Sequence, residues 1–429
     1  MGTREPRVFE SLMTWRQTLC KLFCLVASSF VVATVSSAAN VSAWPECTDQ
    51  KMPTASVSPA PPNASTSGNA QTGKSLGQHY LLLVNTAIAR LLKPADFAEF
   101  ERSPYDGLAI AFHYNYDTAP VFSSAMMTAQ LLDWKKLTKK DLWPWIYFNR
   151  MVGAGEAATN ERTNVPYFHK IQGIDLEDKA GARSDFLQIM GNALHTAKDT
   201  KAPGIVLDLE FYNYHKEYDP AEMAAQTGKS VSQVVELLKQ LGARMADSTA
   251  QVYPGAVIWM PFTGFTHKDF KQIGNDSYYP TPVYIAIGLL DQIKKRNYPI
   301  TVISGGEGSI GYCHADINEF QDSIRKRAAI FAPILQNYPG ILELAGTMTV
   351  WNERAGKSGF IAESECAKAS ASTVEELQPY LELLLKTYRY NWIYGSSNGS
   401  YFAFDPRSAP RFNAVISSAR TKVEGWKPH

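Results

Sequence analysis

The residues with the clearest capacity for chemistry lie in the segment 204–210, GIVLDLE. In an extended strand successive side chains point to opposite faces, so Val206, Asp208 and Glu210 share one face while Ile205, Leu207 and Leu209 share the other. The three large aliphatics belong against covering helices, which leaves Asp208 and Glu210 aimed together at the opposite side. Neighbouring carboxylates repel, and the cheapest relief is for one of them to hold a proton. Such a pair is a general acid held ready near neutral pH. The alternative is structural: both carboxylates pair with cations such as Arg150 at the end of the preceding strand. A further acid, Glu307, stands in SGGEGSIGYC, where close glycines let backbone approach a ligand. Its carboxylate is a candidate partner for Glu210, and the same loop suits an amide nest for an anion.

Other segments expected at strand ends are polar and aromatic. They hold His113, Tyr114 and Asn115, then Asn149 and Arg150, Tyr212, Trp351 and Asn352, and the stretch from Ser396 to Asn398. Sugars present hydroxyls to Asn, Arg and His and C–H faces to flat rings, so this mixture suits a carbohydrate cleft. Each aromatic taken singly also suits plain packing with its polar tip satisfied. Other chemistries lack their residues. There is no HxH or HExxH, the eight histidines are scattered, and no CxxC pair exists, so metal and cofactor sites have no ligand set. No expected strand contains a lysine for a Schiff base. Serine-esterase, hydride-transfer and NTPase readings are set aside, although GSSNG at 395–399, GEGSIG at 306–311 and GNAQTGKS at 68–75 carry the bare spacings of GxSxG, GxGxxG and the P-loop. The reading carries no cofactor and no metal.

The elements that must position these residues alternate. Short β-rich apolar runs are expected at Tyr80–Val84, Gly107–His113, Trp143–Asn149, Gly204–Leu209, Ala256–Phe262, Ile300–Ser304, Gly346–Trp351 and Trp392–Tyr394. Between them, stretches such as 184–197, 231–246, 317–335 and 374–388 carry apolar residues at three- and four-residue spacing. Eight βα units in one chain predict an α/β fold, a single (β/α)8 TIM barrel. The first run, YLLLVNTAIARLL, has the Ala and Leu content of a helix as well. Segments entering strands are short, whereas those leaving them are long after Asn149, Glu210, Phe262, Gly305 and Asn352. In such barrels the strand-to-helix loops build the active-site face, so loop length on that side predicts a cleft there.

At its fourth strand the chain resembles the TIM-barrel glycoside hydrolases, several of which end that strand in Asp-x-Glu, as LDLE does here. The resemblance covers the strand order and this motif, and matches no particular family. It implies an acid/base role for Glu210, with Asp208 tuning it. The large clan that places its nucleophile after strand seven implies Glu353, in TVWNE, as a second carboxylate in competition with Glu307. Chitinase-like enzymes carry further acids upstream on the fourth strand, where this chain has Pro203, Ile205 and Val206, which counts against a substrate-assisted mechanism. The function expected is glycan cleavage or processing by paired carboxylates. The alternatives are a barrel that binds glycans without cleaving them and a barrel hydrolase of other chemistry.

Composition bounds the rest. The chain has 429 residues, 42 Lys+Arg against 41 Asp+Glu, 45% apolar residues and 19% charged. A net charge of +1 with no basic run provides no field for nucleic acid or an anionic membrane. At the N-terminus an apolar stretch, Leu22 to Val35, follows Arg16 and Lys21 and leads to small residues at Ala39 and Ala43. This reads as an export signal over 1–43, with Met13 a candidate start, and a run this short predicts no stable membrane insertion once the signal is removed. Secretion or periplasmic export follows. Residues 44–77 are rich in Pro, Ser and Thr and read as a linker; the barrel is expected over 78–405 and a helical tail over 406–429. Cys313 and Cys366 fall in consecutive barrel loops, which makes them a plausible disulfide pair in an oxidising compartment.

Overall fold

The computed structural model describes residues 79–88, 92–112, 123–147, 149–153, 162–166, 170–171, 174–175, 186–209, 219–265, 271–273, 276–310, 314, 316–349, 351–352, 357–358, 375–394 and 409–425. Eight parallel strands close into a barrel in sequence order. They are β1 (Tyr80–Ile88), β2 (Gly107–Ala111), β3 (Asp141–Tyr147), β4 (Gly204–Asp208), β5 (Val257–Met260), β6 (Thr301–Ser304), β7 (Leu342–Thr349) and β8 (Tyr390–Tyr394). β8 pairs β1 in register from Tyr80↔Tyr390 to Val84↔Tyr394, which closes the ring. Helices α1 (Pro94–Arg102), α2 (Ser124–Lys135), α3 (Phe186–Asp199), α4 (Pro220–Thr227), α5 (Val231–Val252), α6 (Thr281–Arg296), α7 (Glu307–Ile310), α8 (Ile317–Asn337), α9 (Gln378–Thr387) and α10 (Ala409–Glu424) complete the described elements. The eight-stranded α/β barrel expected from the sequence is the fold.

Local chemistry sets the helix ends. Ser230 accepts from the Gln233 amide while the Gln233 side chain accepts from the Ser230 amide, a capping box that starts α5. Asp316 accepts from the amides of Asn318 and Glu319 to start α8. Asn297, in the left-handed region at φ 52°, stops α6.

The first run is the expected strand and not the alternative helix, because both edges of β1 are paired and the described residues Leu81–Val84 are buried on both faces, where a continuous apolar run is the normal pattern. Several boundaries differ from expectation. β7 starts at Leu342, four residues early, since Leu342 and Glu343 pair with Val302 and Ile303 of β6. β3 starts at Asp141, opposite Gly107. Helix-forming Leu, Glu and Ala in LELAG hid the first half of β7; pairing overrode propensity.

The lower barrel is filled by aromatics from β1, β3, β5 and β8. Tyr80 on β1, Trp143 on β3 and Trp259 on β5 meet with ring centroids 5.8–6.1 Å apart, and Tyr390 on β8 joins at 5.9 Å from Trp259. The Trp143 indole donates to the Tyr80 hydroxyl at 2.7 Å, and that hydroxyl donates to Asp141 at 3.2 Å. β2 makes room with Gly107, where a Cβ would stand 2.2 Å from the Tyr80 oxygen. Large side chains from the alternate strands β1, β3 and β5 fill a closed barrel in the usual way, and Tyr390 adds a ring from β8, the neighbour of β1.

The two ends of the barrel differ. Connections from a helix into the next strand run from two residues (388–389) to five (136–140). Segments leaving strands run to 148–185 after β3, 261–280 after β5 and 350–374 after β7, and each of these contains short antiparallel ribbons. After β6 only Gly305 and Gly306 precede α7. At the N-terminal end α10 is tied down by Arg420, which donates to the carbonyls of Pro104 and His79 and lies 3.0 Å from Asp106. The tail helix therefore reaches the barrel's lower rim. No helix among the described residues is long and apolar enough to cross a membrane.

Candidate functional site

Register decides where Asp208 points. Val206 pairs with Trp145 on one side and with Trp259 on the other, and Trp259 belongs to the interior plug. Paired residues in a parallel ladder share a face, so Val206 and, two residues on, Asp208 face the lumen. Asp208 ends β4 opposite Tyr147 and is 3% exposed. Ile205, Leu207 and Leu209 lie buried on the other face, in the core formed with α3 and α5. The alternation read from GIVLDLE holds over the described part of the strand. Glu210 lies outside the described residues.

Glu307 opens the one-turn α7 and is half-buried. The turn that carries it is bonded at nearly every backbone group. The Gly305 amide donates to Met260 O at 2.6 Å and the Glu307 amide to Pro261 O at 3.2 Å, which ties the end of β6 to the end of β5. The Trp392 indole on β8 donates to Gly305 O at 2.8 Å. Gly306 O accepts from Ser309 and Ile310. Ser304 O accepts from Arg327 Nη2 at 2.7 Å, and the Ser304 and Thr263 hydroxyls share a hydrogen bond at 3.0 Å.

This corrects the reading of the glycines as an anion nest. The amides of Gly305 and Glu307 are already used by β5 carbonyls, and Gly306, at φ +91°, lies against Arg327, where a Cβ would come within 2.8 Å of the guanidinium carbon. Gly305 and Gly306 serve a close approach within the protein.

Asn149, Arg150, Trp351 and Asn352 lie just beyond the barrel strands. β3 ends at Tyr147 and β7 at Thr349, so the backbone of Asn149 and Arg150 belongs to the ribbon 149–153/162–166, and that of Trp351 and Asn352 to the ribbon 351–352/357–358. Arg150 is thus not at the end of the third strand, because β3 ends three residues earlier, at Tyr147. His113, Tyr114, Asn115, Tyr212, Glu353 and Asn398 lie outside the described residues, as do Cys313 and Cys366.

The sequence reading missed Arg327. It is wholly buried on α8, and it reads as one of several basic residues in SIRKRAAIF. Its spacing was the available signal. Phe320, Ile324, Arg327 and Phe331 recur at intervals of four, three and four, so Arg327 falls on the helix's buried stripe. Burial pushes its pKa down, opposed by Tyr388, yet a guanidinium keeps its proton in proteins. Among the described residues no group of three or more His, Cys, Asp or Glu converges to hold a metal.

No family model and no curated protein matches this chain. Solved structures that align with it include a GH18 chitinase from Flavobacterium johnsoniae, at 13% identity and TM-score 0.34, over 80% of this chain and 95% of that one. A family 5 xyloglucanase from Paenibacillus pabuli aligns at 9% identity and TM-score 0.43, over 80% and 98%. The 3-keto-D-glucoside 4-epimerase of E. coli aligns at 10% identity and TM-score 0.38, over 80% and 99%. Glycoside hydrolases and sugar epimerases thus stand side by side among these structures, and the (β/α)8 fold itself is established by the closed order of its own eight strands.

Proposed function

We propose that this protein is an exported glycoside hydrolase that works at the C-terminal end of its barrel with paired carboxylates. Glu210 protonates the leaving oxygen, Asp208 holds that proton in place by like-charge repulsion, and Glu307 or Glu353 acts as nucleophile or base. The observation that carries this reading is the register that turns Asp208 into the lumen at the last residue of β4, two positions before Glu210. Glu307 follows β6 on the same end of the barrel. Long segments leaving β3, β5 and β7 add material where a glycan would lie. A carbohydrate is the ligand, with no nucleic acid, and the N-terminal signal sends the chain to the periplasm or outside the cell.

The near-complete burial of Asp208 favours a second reading, a barrel that binds glycans without cleaving them. One experiment separates the two. The secreted protein is assayed on p-nitrophenyl glycosides of glucose, N-acetylglucosamine, galactose, mannose and xylose in both anomers, with glycan-array binding in parallel. Glu210→Gln is expected to lower turnover about 10²- to 10⁴-fold with binding retained. Binding by the parent with no turnover establishes the second reading instead.

A further inference from the structure

Beneath the turn that carries Glu307 lies a guanidinium with no carboxylate bonded to it among the described residues. Arg327 is fully buried. It donates from Nη2 to Ser304 O at 2.7 Å and from Nη1 to Ala345 O, so one planar group links the end of β6 to β7. Its faces are filled by Phe331 and Tyr388, with ring centroids 5.2 Å and 5.1 Å from the guanidinium carbon. Gly306 rests on it in a left-handed conformation that a side chain would both strain and block.

Burying a charge on two carbonyls is costly, and a hydrophobic residue of similar volume usually stabilises a core as well or better. Arginine differs from such a residue in direction. A rigid fork of donors fixes two carbonyls relative to each other, whereas apolar packing leaves them free to tilt. The carbonyl it fixes at Ser304 is three residues before Glu307; between them Gly305 is bonded to β5 and β8, and the Gly306 carbonyl accepts from α7. Backbone bonded on both sides of Gly306, whose positive φ glycine adopts at no steric cost, has little freedom to turn.

We infer that Arg327 is a positioning residue: through Ser304 O and the Gly306 contact it sets the direction in which Glu307 leaves the barrel wall. This rests on the reading of Glu307 as a working carboxylate, and its test separates the two claims. Crystal structures of the parent, Arg327→Met and Gly306→Ala are compared, together with kcat and KM on whichever of the p-nitrophenyl glycosides the parent hydrolyses. Arg327→Met keeps the volume and removes the fork; Gly306→Ala disturbs the same contact from the other side. Both are expected to displace the turn 304–307 by about 1 Å with the barrel strands superimposed, and to lower kcat about 100-fold while KM stays within about twofold. Arg327→Lys, which keeps the charge without the fork, is expected to behave like Arg327→Met. An unmoved turn in both substituted crystals, or an unchanged kcat, overturns the inference even if stability falls. If the parent hydrolyses none of the glycosides, the glycan-cleaving reading fails on its own, and the position of the turn in the crystals still decides the role of Arg327. Should Arg327→Met not fold, Arg327→Lys, which also removes the fork, decides it.

Discussion

At Gly306 a single hydrogen occupies the place where any side chain would meet a buried guanidinium. Left-handed backbone and a blocked Cβ act together there, so Gly306→Ala is expected to cost about 1–3 kcal/mol, read as a lower urea midpoint with an unchanged slope. Lys140 is a second residue whose environment is measurable. Its Nζ donates to the Ser103 carbonyl, lies 3.2 Å from the Ser103 hydroxyl and sits 5.1 Å from the centre of the Phe100 ring. Burial pushes this ammonium down to about 8, against the pull of Glu101 and Asp106. The unfolded chain titrates this lysine near about 10.4, so over the window between the two values the folded state binds fewer protons. Its contribution to stability therefore rises with pH across that window. Urea midpoints of the parent, compared with those of Lys140→Met, are expected to gain between about pH 8 and about pH 10. A constant difference between the two proteins would show that the lysine is not desolvated.

Among the elements, α10 shows how a terminal helix is recruited. Phe412, Ile416 and Arg420 share its buried stripe, and Arg420 reaches the carbonyls of Pro104 and His79, Asp106 at 3.0 Å and Glu424 at 3.1 Å. Asp106 in turn accepts from the Leu81 amide, so the contact bears on the entry of β1. Arg420→Met leaves two partly buried carboxylates and two carbonyls without this donor and is expected to cost about 3 kcal/mol by urea unfolding. A loss no larger than that of an exposed charge, such as Arg325, would show α10 to be loosely docked. The short segments at this rim and the long ones at the other divide the molecule's labour. This end holds the barrel together, and the proposed chemistry belongs to the opposite end.

For the whole molecule, closure of the barrel depends on the aromatic plug, since Trp259 touches side chains from β1, β3 and β8 at once. Removing it severs contacts across the lumen rather than along one strand. Trp259→Ala is expected to cost about 3–5 kcal/mol in a single cooperative unfolding transition, with Trp259→Phe costing less. A separate early transition in the alanine variant would show that the two sides of the barrel hold independently.

The alternation of apolar runs with helical stripes was enough to specify eight βα units, because burial on both faces makes barrel strands legible as short hydrophobic runs. The alternation within 204–208 likewise determined that Asp208 opposes Ile205 and Leu207, since period two is a property of the strand itself. The three aliphatics already marked one face as the helix side, and pairing of Val206 with Trp145 and Trp259 puts Asp208 on the lumen side as expected. Propensity misread the start of β7 and left β1 open, because partners 40 or more residues away supply the hydrogen bonds that outweigh it. The role of Gly306 was equally hidden: a glycine's freedom is visible in a sequence, but the arginine that uses it lies on another helix, brought there by packing alone.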